Sequence, residues 1–209
     1  INKLLNACST TTKAILLATP NNPTGWVMPL EDMRTVMEYA RHRGIWVIAD
    51  EVYSRCVYDD VRAPSFLDVS EPEDRLFIVN SFSKSWAMTG WRLGWLIGPA
   101  DSESRIRDLS LYEVLCPPSF VQMAGVAALR HGEEFIADQK IHWKRNLDLI
   151  MDRFSRMPRI RMARPDSTFY AFFRVEGETD SLVLAKRLID EAGISLAPGV
   201  SFGTCSAQH

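Results

Sequence analysis

The sequence predicts an α/β fold: a three-layer α/β/α arrangement around a mainly parallel sheet, followed by an α+β segment. Three observations carry this. Apolar runs without alternation recur at residues 14–18, 45–49 and 76–79, the pattern of strands buried on both faces. A helix signature fills the gap between the first two runs, which is the order of a parallel crossover unit. Beyond Pro99 the pattern turns helical, then becomes mixed again towards the end of the chain.

Taken in order, the first run is Ala14-Ile15-Leu16-Leu17-Ala18. A helix follows: Pro29, Glu31 and Asp32 mark its start, and Met33, Val36, Met37 and Ala40 form one apolar stripe. Arg41, His42 and Arg43, then Gly44, mark its end. Strands at 45–49 and 76–79 come next, and a fourth at 93–97 closes at Gly98-Pro99. Helices are expected over 101–112, 119–131 and 133–157, the last with Trp143, Leu147, Ile150, Met151 and Phe154 on one face and Pro158 as its stop. A strand over 169–175, a helix over 180–192 capped by Gly193, and a strand over 194–197 complete the reading. The expected division is 1–145 and 146–209, with the boundary inside the long helix.

Composition narrows the function classes. The formal net charge is −2, so no electrostatic attraction to nucleic acid or to an anionic membrane is expected. No apolar stretch reaches membrane-spanning length. Four scattered cysteines and four scattered histidines show no paired spacing, which predicts no metal site and fits a reducing compartment. A cytoplasmic protein is expected.

In open α/β sheets ligands bind at the carboxyl ends of the strands, so the residues that follow each run are informative. The first is followed by Thr19-Pro20-Asn21-Asn22-Pro23-Thr24-Gly25, the second by Asp50-Glu51-Val52-Tyr53, the third by Ser81-Phe82-Ser83-Lys84. One sheet edge thus gathers an amide, a carboxylate, a phenol, hydroxyls and an amine. A lysine at the mouth of a buried strand is expensive to desolvate, and a neutral lysine forms Schiff bases with carbonyl compounds. The serines before Lys84 and Arg92 after it are groups suited to a phosphate. Together they suggest a lysine-bound, phosphate-bearing aldehyde cofactor. Singly, each motif reads as plain structure: a turn at Asn22 to Gly25, a capping Asp50, a packing Tyr53, a surface Arg92.

In this order and spacing the motifs resemble the class I/II aminotransferases, fold-type I enzymes that use pyridoxal 5′-phosphate. The stretch Ser81 to Gly94 resembles that family's lysine-attachment signature, and Asn22-Pro23-Thr24-Gly25 and Asp50-Glu51-Val52-Tyr53 resemble its two other cofactor motifs. Phe169-Tyr170-Ala171-Phe172-Phe173 and Leu196-Ala197-Pro198-Gly199 resemble its small domain. The resemblance implies transfer of an amino group between an L-amino acid and a 2-oxo acid, in a homodimer. It makes 1–145 the later part of the large cofactor-binding domain and 146–209 an incomplete small domain. Lys84 would hold the aldehyde and then act as base, Asp50 would face the pyridine nitrogen, and Asn22 and Tyr53 would meet the phenolic oxygen. Ser81 and Arg92 would hold the phosphate, with Ser83 as helper. The phrasing leans towards the aspartate and aromatic subgroups.

A carbon–sulfur lyase or a decarboxylase on the same scaffold would share these residues, and an inactive fragment would keep them without turnover. The resemblance also implies a longer parent protein. A phosphate-binding helix start, a ring-stacking aromatic and a partner subunit's tyrosine would lie upstream, and a carboxylate-clamping arginine downstream. No residue here takes the clamp; Tyr170 and Arg174 read first as structural. The 209 residues alone are expected to be poorly soluble or inactive, with an unpaired sheet edge.

Overall fold

The computed structural model describes all 209 residues. The elements run α1 (Asn2–Asn6), β1 (Ala14–Ala18), α2 (Leu30–Arg43), β2 (Trp46–Asp50), β3 (Leu76–Ser81), α3 (Phe82–Ser85), β4 (Gly94–Ile97), α4 (Glu103–Glu113), α5 (Ser119–His131), α6 (Glu133–Ser155), β5 (Ile160–Met162), β6 (Phe173–Val175) and α7 (Ser181–Ala192). Strands β1, β2 and β3 are parallel neighbours, and β4 joins β3 antiparallel.

Helix α2 is the crossover that the sequence predicts. Its stripe Met33, Val36, Met37 and Ala40 is buried against Ile15, Val47, Ala49, Ile78 and Phe66, forming the main core. Such burial stabilises by roughly 1.5–3 kcal/mol for each large side chain. Gly44 ends the helix at φ 61°, and its N–H bonds to the Ala40 and Arg41 carbonyls, a left-handed cap that glycine adopts without a Cβ penalty. The opposite face of the sheet is covered less completely. There Trp46 stacks on Phe77 with ring centroids 5.0 Å apart, while Leu16 of the edge strand is 70% exposed.

A second core joins α3 and the segment after it to α5 and α6. It contains Phe82, Trp86, Leu93, Val121 and Ile136, and the Trp86 indole donates to the Ala128 carbonyl at 3.1 Å. A Cβ at Gly125 would lie 2.5 Å from Leu93 Cδ2, so the close seating of α5 requires glycine there.

The sequence expectations need correction in the last third. The strand expected over 169–175 contracts to Phe173–Val175, which pairs with an unforeseen strand, Ile160–Met162. Thr168 has φ 67°, and this turn directs residues 169 and 170 away from any ladder. The strand expected over 194–197 does not form. After Gly193 (φ 65°) the Ile194 N–H closes onto the Leu188 carbonyl, and residues 194–197 pair with neither β5 nor β6. The helix expected over 101–112 runs Glu103–Glu113 behind a 3₁₀ turn, and the long helix ends at Ser155. Asp180 lies just outside α7 as its N-cap, accepting from the Leu182 and Val183 N–H groups.

The molecule exposes 13312 Å², whereas a compact monomer of this mass exposes roughly 9,800 Å². Tyr112, Leu115, Phe120 and Met123 on α4, α5 and their connection are each more than two-thirds exposed. No helix is long and apolar enough to cross a membrane. No group of three or more His, Cys, Asp or Glu is placed to hold a metal ion.

Candidate active site

The three parallel strands end level with one another. Ala18 pairs with Asp50 and Asp50 with Val79; beyond them, Thr19 N donates to Asp50 O at 3.0 Å and Glu51 N to Val79 O at 2.9 Å. The three motifs are therefore side by side, because parallel register carries each chain off the sheet at the same edge.

Asn22 stands on a closed loop. Gly25 N donates to Asn21 O at 2.8 Å, and the buried Thr19 hydroxyl accepts from Met28 N at 3.0 Å. The Asn22 amide donates to the Tyr53 hydroxyl at 3.2 Å. Tyr53 is buried, and its hydroxyl shares a second hydrogen bond with the Tyr170 hydroxyl at 2.8 Å. Burial, then this bond, holds the Tyr53 phenol proton well above its ordinary range. Asp50 ends β2; one of its oxygens accepts from Val52 N at 3.1 Å, and the carboxylate is in no ion pair.

Lys84 lies in the short helix that follows β3 and is half-buried. Its ammonium is 5.8 Å from the Tyr53 ring centroid, a cation–π distance. No carboxylate pairs with it. Ser81 caps this helix: its hydroxyl accepts from Ser83 N at 3.0 Å and bonds the Ser83 hydroxyl at 2.9 Å and the Leu93 carbonyl at 3.1 Å. Arg92 is exposed, in the left-handed region at φ 52°, and its guanidinium donates to Thr89 O at 2.9 Å. Register Ser81 with Gly94 keeps Arg92 beside the serines along the backbone, although the guanidinium itself is turned towards Thr89.

Two residues take places that the sequence did not assign them. Glu51 follows Asp50 but faces the opposite way, buried, and accepts from the Ser65 hydroxyl at 2.7 Å and Phe66 N at 2.9 Å. Burial raises its pKa. The alternation of strand side chains is the signal that separates these neighbours. Tyr170 is the other; 117 residues separate it from Tyr53, and nothing local announces the contact. Arg174 lies on the exposed β5–β6 hairpin, opposite Arg161.

Comparison with known proteins identifies the family. The family described as aminotransferase class I and II matches residues 1–208. An aspartate aminotransferase of Thermotoga maritima is 35% identical over 191 residues, covering 91% of this chain and 49% of that protein. One of Pyrococcus horikoshii is 32% identical over 205 residues, covering 97% and 52%. Among solved structures, the Thermotoga maritima aspartate aminotransferase superposes with TM-score 0.87 at 33% identity, covering 97% of this chain and 52% of that one. An aromatic aminotransferase of Pyrococcus horikoshii superposes with TM-score 0.91 at 30% identity, covering 99% and 56%. The chain spans about half the length of the relatives it matches. The matching family depends on pyridoxal 5′-phosphate. On the family match and the similarity of both sequence and fold, the chain belongs to the class I and II aminotransferases.

Proposed function

We propose that this chain carries the cofactor-anchoring part of an aminotransferase that moves an amino group between an L-amino acid and a 2-oxo acid. The observation that carries the reading is Lys84: an amine at a strand end, beside the Tyr53 ring, with no acid partner. A half-buried lysine without a carboxylate is held ready for other chemistry.

The donor set fits pyridoxal 5′-phosphate. Lys84 offers an amine to an aldehyde, Asp50 a carboxylate oxygen free of protein partners to a protonated ring nitrogen, and the Asn22–Tyr53 pair a donor to a phenolic oxygen. Ser81, Ser83 and Arg92 form the phosphate corner. Their present bonds to one another and to the Leu93 and Thr89 carbonyls are ones that an anion would exchange for its own. When bound, this cofactor supplies an electron sink for a carbanion at the substrate Cα. Lys84 would then be the base that carries a proton between the substrate Cα and the cofactor C4′. Asp50 would pair with the protonated ring nitrogen, and Tyr53 and Asn22 would orient the ring through its phenolic oxygen.

The same reading assigns 1–145 to the large domain and 146–209 to the small one. It also makes the protein a cytoplasmic homodimer, which the exposed apolar residues of α4 and α5 support. The relatives' names, aspartate and aromatic-amino-acid aminotransferase, support dicarboxylic or aromatic substrates.

The test is to load the chain with pyridoxal 5′-phosphate, reduce it with borohydride and map the peptides. The label is expected on Lys84 and lost in Lys84→Arg; a label elsewhere overturns the assignment. In a chain extended to its relatives' full length, adding L-aspartate or L-phenylalanine to the unreduced complex should convert the cofactor spectrum to its amine form, whereas release of pyruvate and ammonia would indicate a lyase.

A further inference from the structure

Tyr170 comes from the far end of the chain, yet its hydroxyl is 2.8 Å from that of Tyr53. The segment that brings it is tied down at several points. Val57 and Ser167 form an isolated antiparallel bridge, and Thr168 N donates to Cys56 O at 2.9 Å. The Ser167 hydroxyl donates to Gly25 O at 2.9 Å, and the Tyr58 hydroxyl donates to Thr168 O. Thr168 is fully buried at φ 67°, a conformation that a β-branched residue adopts only under strain. The strained turn is what sends Phe169 and Tyr170 back towards Tyr53.

We propose that Tyr170 is a positioning residue for the site: its hydroxyl holds the Tyr53 phenol and makes that phenol's orientation depend on the anchored 165–172 segment. The proposal rests on the reading that Tyr53 meets the cofactor. The hydrogen-bond inventory explains why a hydroxyl is useful here. A phenol has one proton and two lone pairs. Asn22 donates to one lone pair of Tyr53, which leaves the proton and one lone pair. Tyr170 can accept that proton, or donate to that lone pair while Tyr53 turns its proton towards a ligand oxygen. Tyr53 therefore has partners in both situations, and its ring need not move. The Tyr170 ring is separately fixed, edge-on to Tyr53 at 5.8 Å and tilted against Phe169 at 4.8 Å. Removing the hydroxyl alone should leave this packing in place.

The experiment compares the chain with Tyr170→Phe, both carrying tyrosine labelled with ¹³C at Cζ. In the cofactor-free chain the Tyr53 resonance, assigned with Tyr53→Phe, is expected to shift, with the thermal midpoint within a few degrees of the parent. After loading with pyridoxal 5′-phosphate, the pH midpoint of its visible absorbance is expected to move by about half a unit or more, the scale of one lost hydrogen bond. A Tyr53 resonance and an absorbance midpoint that both overlay the parent would overturn the proposal. If neither chain takes up the cofactor, the functional reading fails, and the cofactor-free resonance alone decides the Tyr53–Tyr170 link. If Tyr170→Phe does not fold, Tyr53→Phe supplies the reciprocal measurement: the Tyr170 resonance must move, and an unmoved one sinks the link.

Discussion

Ser167 donates its buried hydroxyl to the carbonyl of Gly25 at 2.9 Å across 142 residues of sequence. One hydrogen bond thus clips the late segment that carries Tyr170 onto the loop that carries Asn22. Gly25 is also tightly enclosed: its φ is 69°, and a Cβ there would lie 2.4 Å from Pro165 Cβ and 2.5 Å from Ser167 O. Gly25→Ala is therefore expected to cost about 2–5 kcal/mol, combining left-handed strain with overpacking. Ser167→Ala should cost about 1–2 kcal/mol, the loss of one buried hydrogen bond. Urea titration of both variants checks the order; equal stability would contradict the close approach.

Arg41 grips Asp74 with two bonds, 2.7 and 2.6 Å, and the carboxylate is 6% exposed. The guanidinium lowers the Asp74 pKa below its ordinary value of 3.8. A depressed carboxylate stabilises above its unfolded pKa and loses that contribution as pH falls through the folded one. Asp74→Asn should accordingly destabilise by about 1–2 kcal/mol at neutral pH, since the arginine is partly open to solvent. The gap to wild type should close below about pH 4. Denaturation at a series of pH values measures it.

Glu51 has the opposite sign. Burial raises its pKa, so its contribution is fullest below the unfolded value of about 4.3 and falls as pH rises through the folded one. Compared with Glu51→Gln, wild type should gain stability on acidification from neutrality towards about pH 4. A flat difference over that interval would mean that the Ser65 and Phe66 bonds fully offset desolvation and would contradict the raised pKa.

Lys84→Ala should abolish cofactor labelling yet change folding stability by no more than about 1 kcal/mol, because its amine has no hydrogen bond or ion pair to lose. Borohydride labelling and thermal melting on the same samples separate the two effects.

The exposed apolar residues of α4 and α5 predict self-association. Phe120→Ser with Met123→Ser, at positions 71% and 69% exposed, should shift sedimentation towards the monomer with little loss of folding stability.

The sequence by itself determined the sheet, its crossover helix and the motifs at the strand ends. Those are local signals: unbroken apolar runs, a 3.6-residue stripe in α2, a glycine cap at Gly44, and residues such as Asp50 and Lys84 next to the strands that present them. Parallel register then required the three motifs to meet at one edge. The tertiary structure decided what no local pattern encodes. It turned the chain at Thr168, so that only 173–175 of the expected strand over 169–175 forms. It left 194–197 without a partner strand, and it set Tyr170 against Tyr53. Strand pairing and side-chain contacts between residues a hundred or more positions apart depend on where other elements settle. Period and composition are blind to such contacts, and this site depends on one of them.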